Sequence, residues 1–218
     1  MANGPRTVIV TNRGQARLAD LQVSFAPLAE AQGRHLIALN PQAEPERLAQ
    51  VIAAHSGGRG CDDIVVIAPD VALMAEAARH LAADGMLALF AGVPLGNTVP
   101  LPLDQVARHG AQFTGTSGSS LADQQRVIAR ILAGDLAPAR SVAAVGGLTA
   151  AAAGLQAVLE RLYPGKVMLY PQLLDLPLLS LAELEHAAPP VYAKLGPNQS
   201  WTAQAEQALF EHFLARSA

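Results

Sequence analysis

The sequence is poor in the residues that most readily announce a function. Cys61 is its single cysteine, which excludes an internal disulfide framework and a Cys-rich structural zinc site. The six histidines, His35, His55, His80, His109, His186 and His212, include no pair at i, i+3 or i, i+4. No local set of zinc ligands is therefore written into the chain. Charged residues make up 15% and aromatics 4%. Net charge is −3, from 15 basic and 18 acidic residues, without the basic excess or stripe of a nucleic-acid binder. Apolar stretches all break at Gly, Pro or a charge before the ~18 residues of a membrane-spanning helix. Arg6 is followed by no apolar run of signal-peptide length, and the expected setting is the cytosol. Neither GxGxxG, GxxxxGK nor GxSxG occurs, so the dinucleotide fingerprint, the phosphate loop and the hydrolase nucleophile elbow are all missing.

What the chain has is apolar content arranged in a rhythm. Hydrophobic residues make up 51% of the 218, enough for the core of one large or two small domains. Thr7–Thr11, His35–Leu39, Asp63–Ala68 and Met86–Ala91 are short, nearly continuous apolar runs, as strands covered on both faces should be. Between them lie helical stretches at Gln15–Ala31 (interrupted by Pro27), Glu46–His55 and Val71–Ala83. One crossover helix per strand predicts a parallel α/β sheet. Ala111–Thr114 then leads into a small-residue loop, Gly115 to Ser120, before a helix carrying Leu121, Ile128, Ile131 and Leu132 on one face. Gly147–Tyr163 reads as a further helix, Lys166–Tyr170 as a last strand, and the stretch from Ser180 as a helical tail. Its Trp201, Leu209, Phe210, Phe213 and Leu214 can cover one side. The expected organisation is one domain over 1–179 with a tail over 180–218 packed on it.

Few residues suggest chemistry. Asn12 and Arg13 follow the first strand. If that strand is the one whose carboxyl end faces an adenosine ribose, Asn12 has no charge to repel a 2′-phosphate and Arg13 can fork onto its oxygens. That favours NADP over NAD. A polar turn after a strand would look the same. Gly57-Gly58-Arg59-Gly60 precedes a strand and closes a helix, which suits a helix stop better than a phosphate loop. The loop from Gly115 either brings backbone N–H groups to a nicotinamide or an anion, or is a turn whose serines cap the next helix. Ala91-Gly92-Val93-Pro94 either approaches a ligand or merely turns.

In order and spacing these pieces resemble the C-terminal half of the medium-chain, zinc-type alcohol and polyol dehydrogenases, from about Arg6 to Pro171. The resemblance is carried by Val8–Asn12 with Arg17–Ala19, Ser56–Asp63, Leu81–Leu87, Phe90–Pro94, Gly115–Gly118, Gly146–Leu148 and Gly165–Val167. Phe90-Ala91-Gly92, Gly115–Ser119 and the extended tail look most similar to the sorbose-1-phosphate reductase-like branch. The resemblance implies a Rossmann-like fold and an NAD(P)-dependent oxidoreductase, with Asn12 and Arg13 at the adenosine ribose. It further implies Ile67, Ala68 and Pro69 along the cofactor groove, and Ala91, Gly92, Val93, Gly115, Thr116 and Ser117 toward the nicotinamide.

The chain departs from that pattern in two ways. Nothing matches the zinc-bearing catalytic domain, and the usual first strand with its glycine-rich turn is absent. In the order 3-2-1-4-5-6 that strand is central, so Thr7–Thr11 and Asp63–Ala68 should flank a vacancy with unpaired backbone groups. The expectation is a cofactor-binding portion, inactive alone and carrying no zinc, whose partner is a catalytic-domain chain or a second copy, with no nucleic acid and no membrane. The alternative is a non-catalytic remnant or interaction module acting through protein contacts.

Overall fold

The structure, a computed structural model, describes residues 4–116 and 118–214. The chain forms two compact units. One holds Leu28–Gln125 with the chain up to Leu18, the other Ala19–Pro27 with the chain from Arg126. The division falls in the helix after the small-residue loop, whereas sequence reasoning divided the chain at residue 180.

In the first unit, β1 (Thr7–Thr11) pairs in parallel with β2 (His35–Leu39), Thr7 opposite His35 and Thr11 opposite Leu39. Helix α1 (Gln15–Ala31) lies between them in sequence. Helix α2 (Pro45–Ser56) starts on a proline, whose missing N–H costs nothing at a first turn, and stops at Gly57, left-handed at φ 62°. This is the helix stop anticipated for the glycine run. A second parallel sheet has the order β3-β4-β5, built from β3 (Cys61–Val66), β4 (Leu81–Leu89) and β5 (Gln112–Gly115). Helix α3 (Val71–Ala78) follows β3, and α4 (Leu103–His109) precedes β5. Met74 and Ala78 of α3 bury one face of this sheet with Val66, Leu81, Leu87 and Ala111.

The second sheet's strands start earlier than the apolar runs do. Strand β3 opens at Cys61, where sequence reasoning put Asp63, and β4 opens at Leu81 within a stretch read as helix. The chain leaves α3 at Arg79–His80, and the Cys61 N–H then donates to the His80 carbonyl at 2.8 Å. Leu81 pairs with Cys61. Residues of no marked strand preference are thus drawn into the ladder by their partners.

The second unit has a mixed sheet of order β7-β6-β8, from β6 (Val142–Gly147), β7 (Lys166–Tyr170) and β8 (Leu179–Ser180). Strand β6 was not anticipated, and the helix expected from Gly147 is α6 (Ala151–Glu160). The tail is helical as expected: α7 (Leu184–Ala187), α8 (Pro189–Tyr192) and α9 (Ala203–Leu214). Val145, Tyr170, Leu176, Leu184, Val191, Trp201 and Leu209 form one buried cluster, with Phe210 and Phe213 packed against it. Trp201 Nε1 donates to the Tyr170 hydroxyl at 3.2 Å. Leu214 stays exposed. Helix α1 continues through Pro27. Proline has no N–H to give the carbonyl four residues back, and Asn198 Nδ2 donates to that carbonyl, Val23 O, at 3.0 Å.

The sheet expected to be single is therefore present in pieces. In the first unit β1 and β3, the strands expected to flank the missing one, lie in separate sheets. Val65 is 64% and Ile67 74% exposed.

Candidate functional site

The sequence-predicted residues gather at the carboxyl ends of parallel strands in the first unit. Asn12 and Arg13 directly follow β1, and Ile67, Ala68 and Pro69 directly follow β3. Ala91, Gly92 and Val93 come just after β4, while Gly115 ends β5 and Thr116 follows it. Ser117 lies outside the described residues. The register aligns these ends: Val66 is opposite Leu89, and Leu89 opposite Gly115. The ladder runs on past the strands, with Phe90 N–H donating to Val66 O at 2.9 Å and Thr116 N–H to Leu89 O at 3.3 Å. The carboxyl edge of a parallel sheet, at a break in strand order, is where open α/β folds take their ligands.

Local chemistry fixes this edge. The Asn12 side chain accepts from Gly14 N–H at 2.8 Å, a tight Asx-type turn that directs the chain into α1. Asn40, just after β2, donates from Nδ2 to the Arg13 carbonyl at 3.0 Å. Arg13 Nη2 donates to Asp70 Oδ2 at 2.9 Å. These contacts bring together the ends of β1, β2 and β3. At Gly115 an added Cβ would sit 2.9 Å from Leu89 O, so that position is kept clear for backbone alone. Ala91 and Val93 are partly buried against the unit's core, whereas Gly92 is exposed with open space about it.

Sequence reasoning missed Asp70 and Asn40. Asp70 caps α3, its Oδ1 accepting from Ala72 N–H at 3.0 Å and Leu73 N–H at 3.2 Å. The bond from Leu73, with the Arg13 guanidinium beside it, holds its carboxyl below the usual carboxylate range. An Asp before a helix is a readable cap signal, but its partnership with a residue 57 positions away is not.

Other candidates resolve differently. Ser120 and Asp123 form a reciprocal cap at the start of α5 (Leu121–Leu132): Asp123 N–H donates to Ser120 Oγ at 3.2 Å, and Ser120 N–H to Asp123 Oδ2 at 3.0 Å. Of the loop's two readings, the capping one therefore holds at Ser120. A shallow pocket of about 210 Å³ lies at the opposite, amino ends of β3 and β4, lined by Gly58, Arg59, Gly60, Arg79 and His80. There the carboxyl ends of α2 and α3 meet, and Arg59 Nε donates to the Ser56 carbonyl at 3.1 Å. His35 and His55 bring their rings to 5.9 Å, a pairing invisible to local spacing. Among the described residues no three His, Cys, Asp or Glu side chains gather to hold a metal. Burial, then Asp62, pushes the Cys61 thiol up, away from thiolate chemistry.

No family model matches the chain. It is 30% identical over 220 residues to mannitol-1-phosphate 5-dehydrogenase of Aliivibrio fischeri, covering 96% of this chain and 51% of that protein. It is 36% identical over 102 residues to L-sorbose 1-phosphate reductase of Klebsiella pneumoniae, covering 46% of this chain and 25% of that protein. The crystal structure of 2R,3R-butanediol dehydrogenase from Bacillus subtilis matches with a TM-score of 0.59 at 13% identity, over 78% of this chain and 45% of that one. At that identity the likeness speaks for the fold alone, and it agrees with the Rossmann-like arrangement expected from sequence. The chain spans about half the length of the curated relatives it matches.

Proposed function

We propose that this chain, a polyol dehydrogenase-like protein by its likeness to those relatives, binds a nicotinamide dinucleotide at its carboxyl edge. In this reading it is the cofactor-holding portion of an NAD(P)-dependent oxidoreductase acting on a polyol, an alcohol or the matching ketone. The observation that carries the reading is placement: the segments after β3, β4 and β5 align at the carboxyl edge of one sheet, and Arg13, just after β1, reaches Asp70 beside them.

A bound nicotinamide would supply hydride transfer. The chain's own residues bind and orient it. Asn12 and Arg13 face the adenosine ribose, where a neutral amide and a forked cation favour a 2′-phosphate and hence NADP. Ile67, Ala68 and Pro69 form an apolar rail, and Ala91, Gly92, Val93, Gly115 and Thr116 offer close backbone on the nicotinamide side. Titrating the purified chain with NADPH and NADH, followed by nucleotide fluorescence, tests this. Saturable micromolar binding is expected, and silence with both nucleotides contradicts it.

A partner completes the proposal. Among the described strands β1 pairs only with β2, and β3 only with β4, so each has one edge unpaired by them. The exposed Val65 and Ile67 lie on and just after β3. An extended apolar strand from a catalytic segment, in another chain or a second copy, suits such edges.

A further inference from the structure

Arg13 does not stand ready for an anion. Its Nη2 is 2.9 Å from Asp70 Oδ2, and both side chains are solvent-accessible, at 66% and 36%. The Asp70 carboxylate is fixed from behind, because its other oxygen is held by the N–H groups of Ala72 and Leu73. A phosphate reaching Arg13 must compete with a carboxylate that cannot swing away without uncapping α3. Having displaced it, the phosphate then sits beside a like charge. A ribose carrying hydroxyls alone meets no such penalty, since a carboxylate accepts hydrogen bonds from hydroxyls.

We propose that Asp70 is a specificity-determining residue of the nucleotide site: it occupies Arg13 and holds down the preference that Arg13 would otherwise give to a 2′-phosphorylated dinucleotide. The proposal rests on the cofactor reading above and adds to it a residue outside every motif that suggested that reading. The capping role lets the charge be tested apart from the fold. Asn and Ser cap helices about as well as Asp, so Asp70→Asn and Asp70→Ser remove the charge and keep the cap.

The experiment measures dissociation constants of NADPH and NADH for the full chain, for both variants, and for each variant combined with Arg13→Ala. Circular dichroism melts report whether each protein is folded. In either neutral-cap variant the preference for NADPH over NADH is expected to rise about three- to tenfold at low ionic strength, a range set by the solvent exposure of the pair. The gain should shrink in 0.5 M salt and in the Arg13→Ala background. An unchanged preference in a folded variant that still binds both nucleotides overturns the role of Asp70 and leaves the cofactor reading standing. Failure of the unaltered chain to bind either nucleotide overturns the reading, and this inference with it.

Discussion

At Arg13 one guanidinium serves both the fold and the proposed ligand, and the two duties separate by substitution. Removing a charged hydrogen-bond donor from a ligand costs about tenfold or more in affinity. Arg13→Ala is therefore expected to weaken NADPH about tenfold and NADH much less, as measured by titration. An equal loss for both would remove the case for a 2′-phosphate contact. At Asn198 the duty is structural. Its amide answers the Val23 carbonyl that Pro27 cannot, so Asn198→Ala should cost about 1 kcal/mol, read as a lowered midpoint in urea. These residues were unequally legible. Asn12 and Arg13 could be picked out because they end a strand. Asp70 and Asn198 could not be assigned their partners, since each contact crosses a long stretch of chain.

At the level of elements, legibility followed residue type. Short apolar runs, from the β-branched Thr-Val-Ile-Val-Thr to His-Leu-Ile-Ala-Leu and Lys-Val-Met-Leu-Tyr, gave β1, β2 and β7 with their bounds, and the helical stretch from Gln15 to Ala31 gave α1 whole. Strand β6 escaped because Val-Ala-Ala-Val-Gly-Gly has little strand preference of its own and is held by β7 and β8 on either side. Its small residues serve close packing. A Cβ on Gly147 would run into the Leu173 carbonyl oxygen, so Gly147→Ala should destabilise the second unit by about 2–4 kcal/mol, visible in a thermal melt. The Ser180–Glu183 pair before α7 is a second reciprocal cap: Ser180 N–H and Oγ each donate to Glu183 Oε2 at 2.7 Å, and Glu183 N–H donates to Ser180 Oγ at 3.2 Å. The Ser180 hydroxyl and N–H pull the Glu183 carboxyl below its ordinary range. A group whose value is lowered on folding adds stability above its unfolded value and loses it as pH falls through the folded one. Stability should therefore hold from neutral pH to the ordinary carboxylate range and decline below it. In Glu183→Gln the acid limb of a pH-stability curve should be shallower, and an unchanged limb would remove this cap from the account.

At the scale of the whole molecule, the central feature is an α/β chain whose parallel strands fall into separate sheets. Among the described residues no helix is long and apolar enough to cross a membrane, and Val65 and Ile67, on and just after β3, are exposed. Self-association through the open edges of β1 and β3 is expected, and light scattering showing a monomer at all concentrations would contradict it. Val65→Lys should reduce that association by placing a charge beside an edge. The position of the nucleotide tests the account most directly. In ¹⁵N-resolved NMR spectra of the full chain titrated with NADPH, amide shifts are expected at Asn12, Gly92, Gly115 and Thr116, at the carboxyl ends of the strands. Shifts confined to Gly58, Gly60 and His80, at the opposite ends, or no shifts at all, would contradict it.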